Sequence, residues 1–400
     1  PKFTAIQKMI DKVNLVARES LTGLMVVRAF KTEKHEEERF DEANKDLAKI
    51  NLFVTRATSF LMPIMNFVFS GVTLLIVWYG AKQVDLGQLQ IGDMMAFMQY
   101  AMQIIMSFMM ITFMFIMIPR AAVSSKRILE VLEKPLSILD PKNPTEFNHK
   151  DTGIVEFNNV SFKYPNADDY VLKNISFTAN KGEMTAIIGS TGSGKSTLIN
   201  LIPRFYDVTS GSVKVNGQDV REVKQTSLRD RIGYIPQKAL LFSGTIESNL
   251  KYAKEDATQE ELDKAIEIAQ AKNIIQEKAG HYEEPISQGG TNVSGGQKQR
   301  LSIARALVKN PDIYIYDDSF SALDYKTDAA LRAALEKDLS DKTLIVVAQR
   351  ISTIMNADQI IVLNDGQVVG KGTHDELMDN CEVYREIAFS QLSKEELNHE

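Results

Sequence analysis

Cysteine is all but missing from these 400 residues, with Cys381 standing alone. A single thiol excludes an internal disulfide framework and suits a reducing compartment. Positive charge is also short. Lys and Arg number 46 against 52 Asp and Glu, a formal net charge of −6 that no basic stripe interrupts. That balance argues against a nucleic-acid-binding face. At Pro1 there is neither a start methionine nor a signal-peptide pattern, so the expectation is a piece of something longer.

Charge of either sign is missing from two long stretches, Ala57 to Ala81 and Met94 to Ile118. Spanning a membrane takes about 20 apolar residues, and both qualify. Helices buried in a large soluble core are the alternative, but such helices seldom run this far without a polar face. Trp78 and Tyr79 sit near one end of the first stretch, where interfacial aromatics belong. Lys45, Lys49 and Arg56 flank one outer end, and Arg120, Lys126 and Arg127 the other, while the connecting loop carries one lysine. The positive-inside bias then makes the pair a hairpin with both ends cytosolic.

The organisation follows from composition. Residues 1–56 read as long charged helix broken near Ser20 to Phe30, the spans as about 57–81 and 94–118, and 119–134 as further helix. Prolines and polar residues mark 135–152 as a linker. From Gly153 to about residue 392, strand patterns alternate with helical ones, followed by a polar tail at 393–400. "MTAIIG" and "TLIVVAQ" read as buried strands, "GIVEFNNVSFKY" and "YVLKNISFTA" as a pair, and "IIVLNDGQVV" as a hairpin. Thr258 and Glu261 have capping-box spacing before one amphipathic helix. The fold class expected is a helical membrane hairpin followed by a layered α/β domain.

"GSTGSGKST" joins the strand "MTAIIG" to helical "TLINLI". It comprises Gly189, Ser190, Thr191, Gly192, Ser193, Gly194, Lys195, Ser196 and Thr197. Glycines let backbone N–H groups curl around a polyphosphate, and the helix N-terminus adds its positive dipole. This is a phosphate loop in its strand–loop–helix setting, with Lys195 for the β- and γ-phosphates and Ser196 for Mg²⁺. Downstream, "IYIYDDSFSALD" runs from an apolar strand into two acids. Asp317 then suits Mg²⁺, held through its water shell. Tyr314 and Tyr316 are odd in so buried a strand, and their hydroxyls are expected to find partners.

Between these two motifs lies "NVSGGQKQRLSIARAL", including Val293, Ser294, Gly295, Gly296 and Gln297. In that position it resembles the signature of ATP-binding-cassette (ABC) proteins. The resemblance covers Gly153 to about Leu392 and the hairpin. It implies ATP and Mg²⁺ as cofactors, Tyr164 as the adenine-stacking aromatic, and Gln237 near Mg²⁺ and the attacking water. By the same resemblance, Asp324, closing "SALD", is expected to belong to the loop that crosses a dimer interface. The N-terminal part resembles an exporter-type half-transporter truncated at its N-terminus, with Glu19 to Phe30 including the cytosolic coupling helix. Such chains work as dimers, two ATP molecules lying between the phosphate loop of one and the Ser-Gly-Gly turn of the other.

Four positions depart from the family's pattern. Its general base after the magnesium aspartate is glutamate, and this chain has Asp318. Its switch histidine is Gln349 here, which can hydrogen-bond a phosphate oxygen but cannot carry a charge. Gln288 stands where exporters commonly have glutamate, and Val293 is a mild swap for leucine. Asp318 and Gln349 together resemble the degenerate site of a bacterial heterodimeric multidrug exporter, sited in the cell membrane. The implied function is a subunit that binds ATP, hydrolyses it slowly, and lends Ser294–Gln297 to its partner's competent site. Apolar drugs or lipids are the expected cargo.

Three other functions stay open at this stage: a regulatory or channel-like ABC protein gated by ATP, a homodimeric lipid or peptide exporter, and a soluble ABC ATPase. The hairpin and the acidic charge argue against the last. Nine of the sixteen methionines fall between Met94 and Met117, with Gln99 and Gln103 one helical turn apart. That span suits either an adaptable apolar cavity or a lipid-facing surface.

Overall fold

A computed structural model of the chain describes residues 2–147 and 153–391. The end of the linker and the tail at 393–400 lie outside the described residues. Two compact units, Pro1–Pro135 and Leu136–Glu400, make up the chain.

The first unit is helical. It comprises α1 (Lys2–Thr22), α2 (Leu24–Ala29), α3 (Glu33–Ser59), α4 (Leu61–Asp85) and α5 (Ile91–Leu132). The charged N-terminal run breaks where Gly23 interrupts it and where Lys31 takes φ +54°. Val16 of α1 and Ala43 of α3 are buried where these helices pack, and Lys12 pairs with Asp46 at 3.7 Å. Asp11 of α1 accepts from Arg127 of α5 at 2.7 Å. A break at Phe60 precedes Pro63, which has no N–H to give the Ser59 carbonyl and so suits the first turn of α4. The first residues of the expected span, Ala57–Ser59, therefore close α3.

The long apolar windows of both span-bearing helices are wholly unburied, with Phe67 81% and Phe115 75% exposed. Core helices of a soluble protein would hide them, so these surfaces suit lipid or further apolar helices.

The second unit is an α/β domain. Its antiparallel layer has β1 (Val155–Phe162), β2 (Leu172–Ala179), β4 (Ser210–Val215) and β5 (Gln218–Asp219), in the order β2-β1-β4-β5. The main sheet contains β3 (Met184–Gly189), β6 (Ile232–Ile235), β9 (Ile313–Asp317), β10 (Thr343–Val347), β11 (Gln359–Asn364) and β12 (Gln367–Gly372). Its order is β12-β11-β3-β10-β9-β6, parallel except for β12. A short ribbon joins β7 (Gly244–Thr245) to β8 (Pro285–Ile286).

The domain's helices are α6 (Lys195–Asn200), α7 (Gln225–Asp230), α8 (Ile246–Lys251), α9 (Gln259–Ile268) and α10 (Lys272–Glu277). They continue with α11 (Gly295–Lys309), α12 (Tyr325–Asp338), α13 (Ile351–Ile354), α14 (His374–Asn380) and α15 (Glu382–Gln391).

The central strands β3, β9 and β10 are mostly apolar, with Thr185, Thr343 and Asp317 as buried polar exceptions, because both faces are covered. Ile313 and Ile315, Ile345 and Val347, and Ile187 face a core shared with the antiparallel layer. Tyr314 and Tyr316, Leu344 and Val346, and Ala186 and Ile188 face the helices. The expected hairpin turns at Asp365 and Gly366, with φ +44° and +75°. Thr258 and Glu261 form the expected capping box at α9, but that helical run is interrupted before α10, where Gln270 takes φ +54°. One expectation fails. The Tyr316 hydroxyl is buried without a hydrogen-bond partner among the described residues, since its ring stacks on Phe320 and Tyr314 instead.

Candidate functional site

Four parallel strands, β3, β10, β9 and β6, end side by side, and the sequence motifs leave from those ends. In open α/β sheets this is where ligands bind. The phosphate loop follows β3, Gln349 follows β10, Asp317 closes β9, and Gln237 follows β6.

The loop owes its shape to its glycines. Gly192 and Gly194 have φ +87° and +97°. A Cβ on Gly189 would lie 2.1 Å from the Leu363 carbonyl oxygen of β11, so loop and strand pack backbone to backbone. Gly189→Ala is therefore expected to cost about 2 kcal/mol or more. A lower thermal midpoint for the purified chain, with loss of ATP binding, checks it.

Lys195 opens α6, and its ammonium donates to the carbonyls of Gly189 and Ser190, each at 2.8 Å. Burial pushes its pKa below the usual lysine range, opposed by the charges of Asp318 and Asp317. The Ser196 hydroxyl donates to Asp317 Oδ1 at 2.8 Å. Burial raises the Asp317 pKa, with the Asp318 charge adding, while hydrogen bonds from Ser196 and Tyr234 oppose the rise. A hydroxyl and a carboxylate held together form a hard-oxygen donor set, which fits a small divalent cation. Among the described residues no cluster of three or more His, Cys, Asp or Glu forms, so phosphate and water would supply its other oxygens.

Asp318 stands apart from its neighbour. It has φ +48°, and its backbone N–H donates to the Val347 carbonyl at 2.9 Å. Its Oδ2 accepts from Gln237 Nε2 at 3.0 Å and from Gln349 Nε2 at 2.7 Å. A carboxylate oxygen offers about two lone pairs, so two amides occupy it.

Tyr164 is half-buried and packs edge-on against Tyr206 at 5.2 Å, its hydroxyl 2.9 Å from Thr197 Oγ1. That bond sets the expected aromatic beside the phosphate loop. The Ser-Gly-Gly turn is elsewhere. Ser294 caps α11, with Gln297 returning its side chain in a capping box, and Val293 is buried. Among the described residues no hydrogen bond joins 293–297 to the loop. A Cβ on Gly296 would lie 3.4 Å from the Ala322 carbonyl oxygen, so the turn adjoins the Ser321–Asp324 loop. Asp324 caps α12 through the Thr327 amide, which holds its carboxyl below the usual carboxylate range.

Sequence reasoning missed Tyr234, whose hydroxyl lies 3.0 Å from Asn200 Oδ1 and 3.4 Å from Asp317 Oδ2, its one proton shared between the two acceptors. Its place three residues before Gln237 is the only signal the sequence offered.

A glycine nest closed by a lysine, beside a strand-ending acid on a parallel sheet, defines a phosphate-loop nucleotide-binding domain. The model for the family described as "ABC transporter transmembrane region" matches residues 2–108, and that for "ABC transporter" matches 172–321.

An "Uncharacterized ABC transporter ATP-binding protein" of Mycobacterium tuberculosis is 43% identical, covering 98% of this chain and 67% of the relative. The Bacillus subtilis "Probable multidrug resistance ABC transporter ATP-binding/permease protein YheI" is 36% identical, covering 96% of this chain and 66% of its own length. A solved structure titled "Structure of a bacterial Atm1-family ABC exporter with ATP bound" superposes with TM-score 0.86 at 29% identity. That match covers 98% of this chain and 70% of the solved one. The chain spans about two thirds of the length of these relatives.

The chain belongs to the ABC transporter family, with a helical membrane region followed by an ATP-binding domain in the order of an exporter half-transporter.

Proposed function

We propose that this chain is one subunit of a heterodimeric exporter in a bacterial cell membrane, and that its own ATP site hydrolyses slowly. Lys195 and the loop amides hold the ATP phosphates, and Tyr164 stacks on the base. Mg²⁺ would be held by Ser196, Asp317 and Gln237, and it supplies neutralisation of the β- and γ-phosphate charge when bound. Ser294, Gly295, Gly296 and Gln297 complete the second site on the partner, and Asp324 lies at the shared interface.

One observation carries the reading. Asp318 takes the general-base position with Oδ2 already bonded by two glutamine amides. Its side chain is one methylene shorter than the family's glutamate, a retreat of about 1.5 Å. Misplacement by about 1 Å costs a catalytic group on the order of a hundredfold. Gln349, being uncharged, cannot make up the loss.

The cargo proposed is an apolar drug or lipid. Gln103 lines a shallow hollow on α5 with Tyr100, Ile104 and Phe108, an apolar surface carrying one amide. The "multidrug resistance" in the name of the Bacillus subtilis relative supports this cargo class.

The test purifies the complex from membranes with whatever subunit accompanies the chain. Ser294→Arg is expected to lower its ATPase on the order of a hundredfold, while Asp318→Asn changes it less than about twofold. Equal losses, or brisk turnover by this chain alone, would contradict the asymmetry. In proteoliposomes, ATP-dependent dye accumulation supports export, and a conductance would favour an ATP-gated channel instead.

A further inference from the structure

We infer that Gln391, far along the chain from every motif above, is a positioning residue for Gln349. The inference rests on the reading that Gln349 faces the γ-phosphate.

The main-sheet ladder ends just before this residue. Ala348 donates its N–H to the Ile187 carbonyl at 3.2 Å, and beyond it the chain leaves β10 for α13. The next two bonds come from the last residue of α15. Gln391 Nε2 donates to the Gln349 carbonyl at 2.7 Å, and Gln391 Oε1 accepts from the Ile351 N–H at 2.9 Å. One side-chain amide thus grips the backbone on both sides of Arg350, as the peptide group of a neighbouring strand would. A single bond would leave a pivot. Two bonds of opposite sense fix both the place and the tilt of the Gln349 peptide.

The grip has firm supports. Tyr384 and Ala388 of α15 are fully buried in the helix-side core, and the Tyr384 hydroxyl meets His374 Nδ1 at 2.7 Å. From the other side, Arg332 of α12 donates to the Ser352 carbonyl at 2.8 Å and pairs with Asp328 at 3.2 Å. The segment from Gln349 to Ser352 is therefore held between the last helix and the helix that Asp324 caps. The Gln349 side chain, fixed by this backbone, reaches Asp318 Oδ2. Gln391 is itself exposed, so a packing role would be served as well by a leucine.

Release of a non-hydrolysable mant-ATP analogue with Mg²⁺ is to be timed by stopped flow on the full chain in lipid nanodiscs. The set is Gln349→Ala, Gln391→Leu, Gln391→Glu and the Gln349→Ala/Gln391→Leu double variant. Gln391→Leu is expected to speed release roughly three- to tenfold with little change in thermal midpoint. Gln391→Glu keeps the acceptor and loses the donor, so it falls between wild type and Gln391→Leu, and it carries the comparison if Gln391→Leu folds poorly.

In the Gln349→Ala background, Gln391→Leu is expected to add nothing, because the group it positions is gone. Additive effects, or a silent Gln391→Leu beside an active Gln349→Ala, would overturn the positioning role alone. A silent Gln349→Ala would overturn the nucleotide-facing reading on which it stands.

Discussion

Exchanging Asp318 for glutamate and Gln349 for histidine together raises this chain's own ATP turnover on the order of a hundredfold. The added methylene returns the carboxylate by about 1.5 Å toward where the family's base stands. The second change removes one of the two amides that now bond Asp318 Oδ2, Gln349 Nε2 at 2.7 Å. In the proposed site it also supplies a side chain able to carry a positive charge toward a bound γ-phosphate. Each change alone should give less than the pair, because the two side chains are hydrogen-bonded to each other and effects of such neighbours are not additive. Steady-state phosphate release from the reconstituted chain, with and without its partner, measures it. A double variant no faster than wild type would mean that something other than these two residues limits hydrolysis.

Lys195→Ala is expected to weaken ATP binding at this site on the order of a hundredfold. The ammonium donates to two loop carbonyls, Gly189 O and Ser190 O, both at 2.8 Å. Turning to a phosphate exchanges those neutral acceptors for charged ones. A hydrogen bond between charged partners contributes about 1.5–3 kcal/mol, and about 1.4 kcal/mol is a factor of ten in affinity. Losing the cation thus costs about 3 kcal/mol. The fold should survive, because alanine suits the first turn of α6 and the loop's shape comes from its glycines. Equilibrium titration with a fluorescent ATP analogue decides it, and a dissociation constant within threefold of wild type would remove Lys195 from the phosphate site.

The sequence made some features plain and hid others. Strands β3, β9 and β10 were legible because a strand covered on both faces is a near-continuous apolar run, as "MTAIIG" and "TLIVV" are but for one threonine each. The break at Gln270 was not, because "AIEIAQAKNIIQ" keeps helical periodicity through a residue that turns left-handed. Tyr316 was expected to find a partner for its hydroxyl; aromatic stacking on Phe320 decided its place, and no partner is found among the described residues. Gln391 had no signal at all. It lies 42 positions from Gln349 on the exposed face of a half-apolar helix, and only the docking of α15 brings its amide to that backbone.

By itself, the sequence determined what is set by residue type and short spacing. That includes two charge-free spans, a glycine loop with its lysine and serine, and an acid closing a buried strand. These are local, since a glycine or a lysine carries its conformational freedom or charge wherever the chain takes it. The tertiary structure alone decided which partner each acid receives. The order β3-β10-β9-β6 gathers strand ends that are far apart in the chain. It gives Asp317 to the Ser196 hydroxyl, and Asp318 to two glutamines 81 and 31 positions away. Adjacent carboxylates diverge because successive residues leave a strand in different directions and meet different neighbours.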